Sequence, residues 1–142
     1  MPPATDPALD RVLRALRGVL DDEPEVAYAL LFGSAGRGAI RADSDLDVAV
    51  ALRPGASRDT PMLGRLAARL ESAAERRVDL VPLDEAAAPL AYRVFRDGRL
   101  LVDRDRGARI ARTARVILEY LDFKPVEERC AEGVLRAAAK RG

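Results

Sequence analysis

The spacing of apolar residues along this chain changes several times, and each change marks an element. After Asp6 and Pro7, which read as an N-cap and a first helical position, Leu9, Val12, Leu13, Leu16 and Leu20 recur at helical intervals. They predict an amphipathic helix ending near Asp21. The unbroken apolar run Val26 to Phe32 is too short for a stable buried helix and stops at Gly33, which predicts a buried strand. A second run, Leu46 to Leu52, is entered through an acidic stretch and closed by Pro54 and Gly55, giving a second strand. Met62, Leu63, Leu66, Ala67, Leu70 and Ala74 return to the helical period, and Val78 to Val81, ended by Pro82, predicts a third short strand.

Beyond Asp84 an alanine-rich piece to Phe95 reads as helix, Asp97 and Gly98 as a turn, and Leu100 to Val102 as a short strand. Ile110, Ala114, Ile117, Leu118 and Leu121 mark an amphipathic helix that Pro125 is expected to interrupt, and Val126 to Ala139 predicts a second. Strands and helices thus intermix, the order of an α/β (α+β) chain, with no internal repeat and no long linker. At 142 residues the chain is read as one domain, 1–142, with a core over about 6–83 and a mostly helical segment over about 84–142.

Composition removes whole classes of chemistry. There is no histidine, so Ser/His and Cys/His nucleophile pairs and His-based zinc sites are excluded. Catalysis must run on carboxylates, hydroxyls and arginines. The single cysteine, Cys130, has no partner for an internal disulfide and is read as a packing residue in a reducing compartment. A net charge of +1 gives no whole-molecule field that favours nucleic acid or an acidic membrane. Met1 to Asp10 lacks the basic start and apolar run of a signal peptide, and no window reaches the roughly 18 apolar residues of a membrane span, so a cytoplasmic protein is expected.

The candidate chemistry lies where the first predicted strand breaks and the second begins: Gly33, Ser34, Ala35, Gly36, Arg37, Gly38, then Ser44, Asp45, Leu46, Asp47. In a strand, residues i and i+2 project from one face roughly 6.5 to 7 Å apart, so Asp45 and Asp47 can converge on one cation while Leu46 points into the core. Paired carboxylates repel, and a divalent ion taking hard oxygen ligands relieves the repulsion. Magnesium is usually bound by a few carboxylates plus substrate phosphates, which suits an Asp pair beside a phosphate-binding turn. Gly33 lets backbone approach a ligand, the Ser34 hydroxyl and nearby N–H groups can donate to phosphate oxygens, and Arg37, Arg41 and Ser44 are candidate phosphate contacts. The turn is neither a P-loop nor a dinucleotide fingerprint, because no Gly-Lys-Ser/Thr follows and the glycine spacing differs. For Arg37, Arg41 and Ser44, surface arginines and a turn-capping serine remain the alternative.

A third acid, Asp79, sits between Val78 and Leu80, where a charge inside an apolar run is costly unless paired. If its strand neighbours the second, three carboxylates meet, enough for two cations roughly 3.5 to 4 Å apart. A structural ion pair with Arg76 or Arg77 stays open for Asp79.

These residues resemble the DNA polymerase β-like nucleotidyltransferase superfamily, whose pattern is Gly-Ser, ten residues, Asp-x-Asp and a distant third Asp. The ten residues Ala35 to Ser44 separate Ser34 from Asp45, and Asp79 stands for the third acid. Pro89 to Asp105 (PLAYRVFRDGRLLVDRD) and Tyr120 to Pro125 (YLDFKP) are similar to the minimal nucleotidyltransferases paired with HEPN-domain toxins, the MntA-type antitoxins. The resemblance implies a small mixed β-sheet flanked by helices. It implies Asp45, Asp47 and Asp79 as catalytic magnesium ligands for two ions, ATP as substrate, and Gly33, Ser34, Arg37 and Ser44 as nucleotide contacts. It further implies AMP transfer to a tyrosine of a cognate HEPN toxin. Two alternatives stay open: a small-molecule transferase like the aminoglycoside nucleotidyltransferases, and an antitoxin that acts by binding without catalysis.

Overall fold

The computed structural model describes residues 6–56 and 60–141. Helix α1 spans Pro7–Asp21, strand β1 Val26–Phe32, the short helix α2 Gly33–Gly36, and β2 Leu46–Leu52. Helix α3 spans Thr60–Ala74, β3 Val78–Pro82, α4 Ala88–Asp97, β4 Arg99–Asp103 and α5 Arg106–Arg141, with a 3-10 turn at Leu83–Glu85 before α4. The Asp6 carboxylate caps α1 by accepting from the Ala8 N–H at 2.9 Å, as the Asp-Pro start predicts.

The strands form one mixed sheet in the order β3-β2-β1-β4. Strand β1 pairs antiparallel with β2 and with β4, while β2 pairs parallel with β3. Residues alternate between two faces. Ala29, Leu31, Val48 and Val50 join Leu9, Leu16, Leu20, Leu66 and Leu70 of α1 and α3 in one core. Tyr28, Leu30, Phe32, Ala49 and Ala51 join Ala91 and Val94 of α4 and Val116 of α5 in the other. Both faces of the central strands are therefore covered, which is why β1 and β2 read as continuous apolar runs rather than alternating ones. Leu46 is fully buried, as its position between two acids predicts.

Three expectations change. Pro125 does not interrupt the C-terminal helix, because α5 runs unbroken from Arg106 to Arg141. A proline removes one intrahelical hydrogen bond, a local loss that the helix-forming Glu, Arg and Ala residues around it carry. Cys130 is exposed on α5 rather than packed. Asp97 closes α4 rather than starting a turn, with Gly98 as its C-cap. The short strand predicted at Leu100 to Val102 is present as β4, beside β1 at the edge of the sheet. The side chains of 123–128, with Phe123 among them, and residues 1–5 at the N-terminus lie outside the described residues.

Arg104 joins these layers at the turn between α1 and β1. Its Nη1 donates to the carbonyls of Glu23 and Val26 at 3.0 Å each, and its Nη2 to those of Leu20 at 2.8 Å and Asp21 at 2.9 Å. The guanidinium thus satisfies the end of α1 and ties it to the residue following β4. Arg104→Ala is expected to destabilise the fold by about 2 kcal/mol in urea denaturation, the loss of charge-assisted bonds to partly buried carbonyls. Arg104→Lys should recover little of this, because an ammonium cannot fork among separate carbonyls.

Candidate active site

Strand register brings the acids together. In the parallel ladder Asp47 of β2 is paired with Asp79 of β3, and in the antiparallel ladder it is paired with Phe32, the last residue of β1. Asp45 precedes β2 by one residue and lies two positions from Asp47. The site therefore stands where β1 ends and where β2 and β3 begin.

Asp47 is the half-buried member, and its pKa is raised above the ordinary 3.8, first by its own desolvation, then by Asp79 and by Asp45. Asp45 and Asp79 are exposed. The expectation that Asp79 is a charge buried in an apolar run is thus corrected. β3 is an edge strand, and the Asp79 side chain reaches solvent while Val78 beside it is buried. No ion pair ties Asp79 to Arg76 or Arg77 among the described residues, and Arg76 instead donates Nη1–H to the Arg41 carbonyl. The acids are neighbours by register, not a closed ligand shell: among the described residues no three acids or thiols converge tightly enough to hold a metal ion as placed. The donor set nevertheless fits magnesium in chemistry, being all hard carboxylate oxygen with uncompensated mutual repulsion.

The turn after β1 is shaped around Asp47. Gly33 has φ +68°, and a Cβ there would overlap the Asp47 Oδ2. Its glycine is required by a close approach within the protein, in addition to any ligand. Gly33 also starts the one-turn helix α2, on which Ser34 is exposed. Gly36 is pressed between β1 and the end of α4, where a Cβ would stand 2.7 Å from the Leu31 carbonyl oxygen and 3.0 Å from that of Asp97. Arg99 of β4 fastens the same turn, its Nε donating to the Gly36 carbonyl at 2.9 Å.

A cavity of about 220 Å³ opens beside this turn, lined by Gly33, Arg37, Asp47, Leu90, Arg93 and Asp97 among others. Arg37 thus reaches the site, but its Nη1 is drawn to Asp97 Oδ2 at 3.5 Å. Ser44 closes a turn through its backbone N–H to the Arg41 carbonyl at 3.2 Å, and Arg41 is exposed outside the cavity lining.

The profile of the family described as "Polymerase beta, Nucleotidyltransferase" matches residues 15–107, about two thirds of the chain. The protein belongs to the polymerase β nucleotidyltransferase family. Its fold and its relatives make it an enzyme, a nucleotidyltransferase. A crystal structure of a toxin–antitoxin with AMP-PNP is similar at 26% identity and a TM-score of 0.70, covering 89% of this chain and 98% of that one. A minimal nucleotidyltransferase is 32% identical over 64% of this chain and 93% of its own, with a TM-score of 0.57. A structure of the tri-AMPylated Shewanella oneidensis HEPN toxin in complex with MNT antitoxin, at 24% identity and a TM-score of 0.65 over 90% of this chain and 96% of that one, shares the fold. No curated protein matches the sequence.

In this nucleotidyltransferase the sequence reading missed the contribution of α4. Leu90, Arg93 and Asp97 line the cavity from that helix, and their helical spacing was the available signal.

The crowding of Asp47 yields two measurable consequences. A carboxyl whose folded pKa is raised contributes stability below its unfolded value, and that contribution is lost as pH rises through the folded value. At neutral pH the ionised Asp47 therefore costs stability. Asp47→Asn is expected to raise Tm at pH 7 in chelator, and added magnesium to raise the Tm of the wild type but much less that of the variant, as read by thermal denaturation. Gly33→Ala is expected to leave the chain folded but to cut nucleotidyl transfer by roughly a hundredfold, since a small displacement of a reacting group has that effect. Transfer at the wild-type rate in Gly33→Ala would remove the close approach from the account.

Proposed function

We propose that the protein is an antitoxin that transfers AMP from magnesium-bound ATP to a tyrosine hydroxyl of a cognate HEPN toxin. The observation that carries the reading is the register pairing Asp47 with Asp79 beside Asp45, three acids at the mouth of the Gly33-Ser34 turn. Asp45, Asp47 and Asp79 would hold the metal, with Asp45 and Asp79 free in solvent to rotate inward. A magnesium ion held there would neutralise triphosphate charge and lower the pKa of an incoming hydroxyl. Gly33 and Ser34 position the β and γ phosphates, with Arg37 lining the same cavity and Ser44 offered from the separate turn that it closes on Arg41. The acceptor oxygen bonds to the α-phosphorus in line, pyrophosphate leaves, and the hydroxyl proton is released.

Support for a protein acceptor comes from the toxin–antitoxin structure with AMP-PNP, 98% of whose matched chain this chain covers at 26% identity. An apolar stripe on α5 adds to this, with Ile110 49%, Ile117 41%, Leu118 65% and Leu121 57% exposed.

The test incubates the chain with α-labelled ATP, magnesium and the toxin of the neighbouring gene. Label is expected on a toxin tyrosine by mass spectrometry, with none from the Asp45→Asn, Asp47→Asn double variant. Undiminished labelling by the double variant would remove these acids from the chemistry. Full toxin neutralisation in cells by that unlabelled variant would instead make the antitoxin act by covering its partner.

A further inference from the structure

Leu90, Arg93 and Asp97 occupy one face of α4, spaced by about one and two helical turns. That face closes one side of the 220 Å³ cavity whose other side is Gly33 and Asp47. Its charges are unevenly matched. Asp97 takes hydrogen bonds from Arg96 Nε at 3.0 Å and Arg96 Nη2 at 2.9 Å, and Arg37 Nη1 approaches it at 3.5 Å. Two guanidiniums thus already answer the one carboxylate on the α4 side. Arg93, exposed at the same cavity, has neither a hydrogen bond nor an ion pair among the described residues.

The cavity therefore sets an uncommitted guanidinium on one wall against a crowded carboxylate on the other. A ligand that answers both carries a cation and anionic oxygens together, which describes a metal-bound polyphosphate. The volume is below the roughly 300 to 1,000 Å³ of a pocket that encloses a whole small ligand, so it takes one part of a nucleotide. Because Gly33 lines it, that part is the end beyond the α-phosphate.

We propose that Arg93 is a substrate-binding residue of the transferase, its guanidinium taking the β and γ phosphate oxygens of the magnesium nucleotide in the cavity between α4 and the Gly33 turn. The assignment rests on the nucleotidyl-transfer reading but not on the identity of the acceptor. Arg93 also answers a question of charge: with Arg37 engaged by Asp97, it is the cation at this cavity that remains to be matched.

Calorimetric titration of the full chain with AMP-PNP, ADP and AMP in magnesium, without acceptor, tests it. Arg93→Ala is expected to weaken AMP-PNP binding by roughly tenfold or more, ADP less, and AMP not at all. Arg93→Lys should restore most of the loss by keeping the charge, and Arg11→Ala, a surface change on α1, should match the wild type. In the labelling assay Arg93→Ala should raise the KM for ATP and leave the KM for the acceptor unchanged. Unaltered AMP-PNP affinity in Arg93→Ala, an equal loss for AMP, or a change confined to the acceptor's KM would each overturn the assignment while leaving nucleotidyl transfer standing. A wild-type chain that binds no AMP-PNP would overturn both.

Discussion

Like charges held close together by backbone register are the constraint around which this molecule is arranged. The parallel ladder fixes Asp47 against Asp79, and one buried leucine separates Asp47 from Asp45, so the three cannot be drawn apart without breaking strands whose other residues form the core. Asp47, the least exposed of the three, has its proton affinity raised first by its own burial and then by the charges of Asp79 and Asp45. The apolar packing of two covered sheet faces sustains this unfavourable arrangement. Natural folds place such locally unfavourable features at working sites.

The parts surrounding the acids follow from that constraint. Gly33 is glycine because its φ of +68° and the Asp47 carboxylate leave no space for a side chain. Gly36 and Arg99 then lock the turn against β1, β4 and the end of α4. The same turn forms one wall of a cavity whose opposite wall is α4, so the residues after the acid motif complete a site that the motif begins. Every sheet neighbour of β1 and β2 either packs the core or borders the site.

Family membership and site chemistry rest on different grounds. The family profile and the similar structures establish the fold and the reaction class. The roles proposed for single residues follow from register, burial and charge. They distribute the work among two exposed acids that can move, one half-buried acid that cannot readily do so, and a helix face that supplies the opposing charge.

The sequence by itself determined the elements and the local motif. Apolar periodicity located α1, β1, β2, α3 and β3, because spacing reports which face a residue buries, and the Gly-Ser and Asp-x-Asp spacing marked the site because those neighbours are close along the chain. Only the tertiary structure decided which strand lies beside β2, that Asp79 on an edge strand is exposed while Asp47 is not, and that Arg37 spends its charge on Asp97. It likewise decided that α4 lines the cavity and that α5 continues through Pro125. Pairing, solvation and the competition among distant charges depend on contacts between residues far apart in sequence, and no local pattern encodes those.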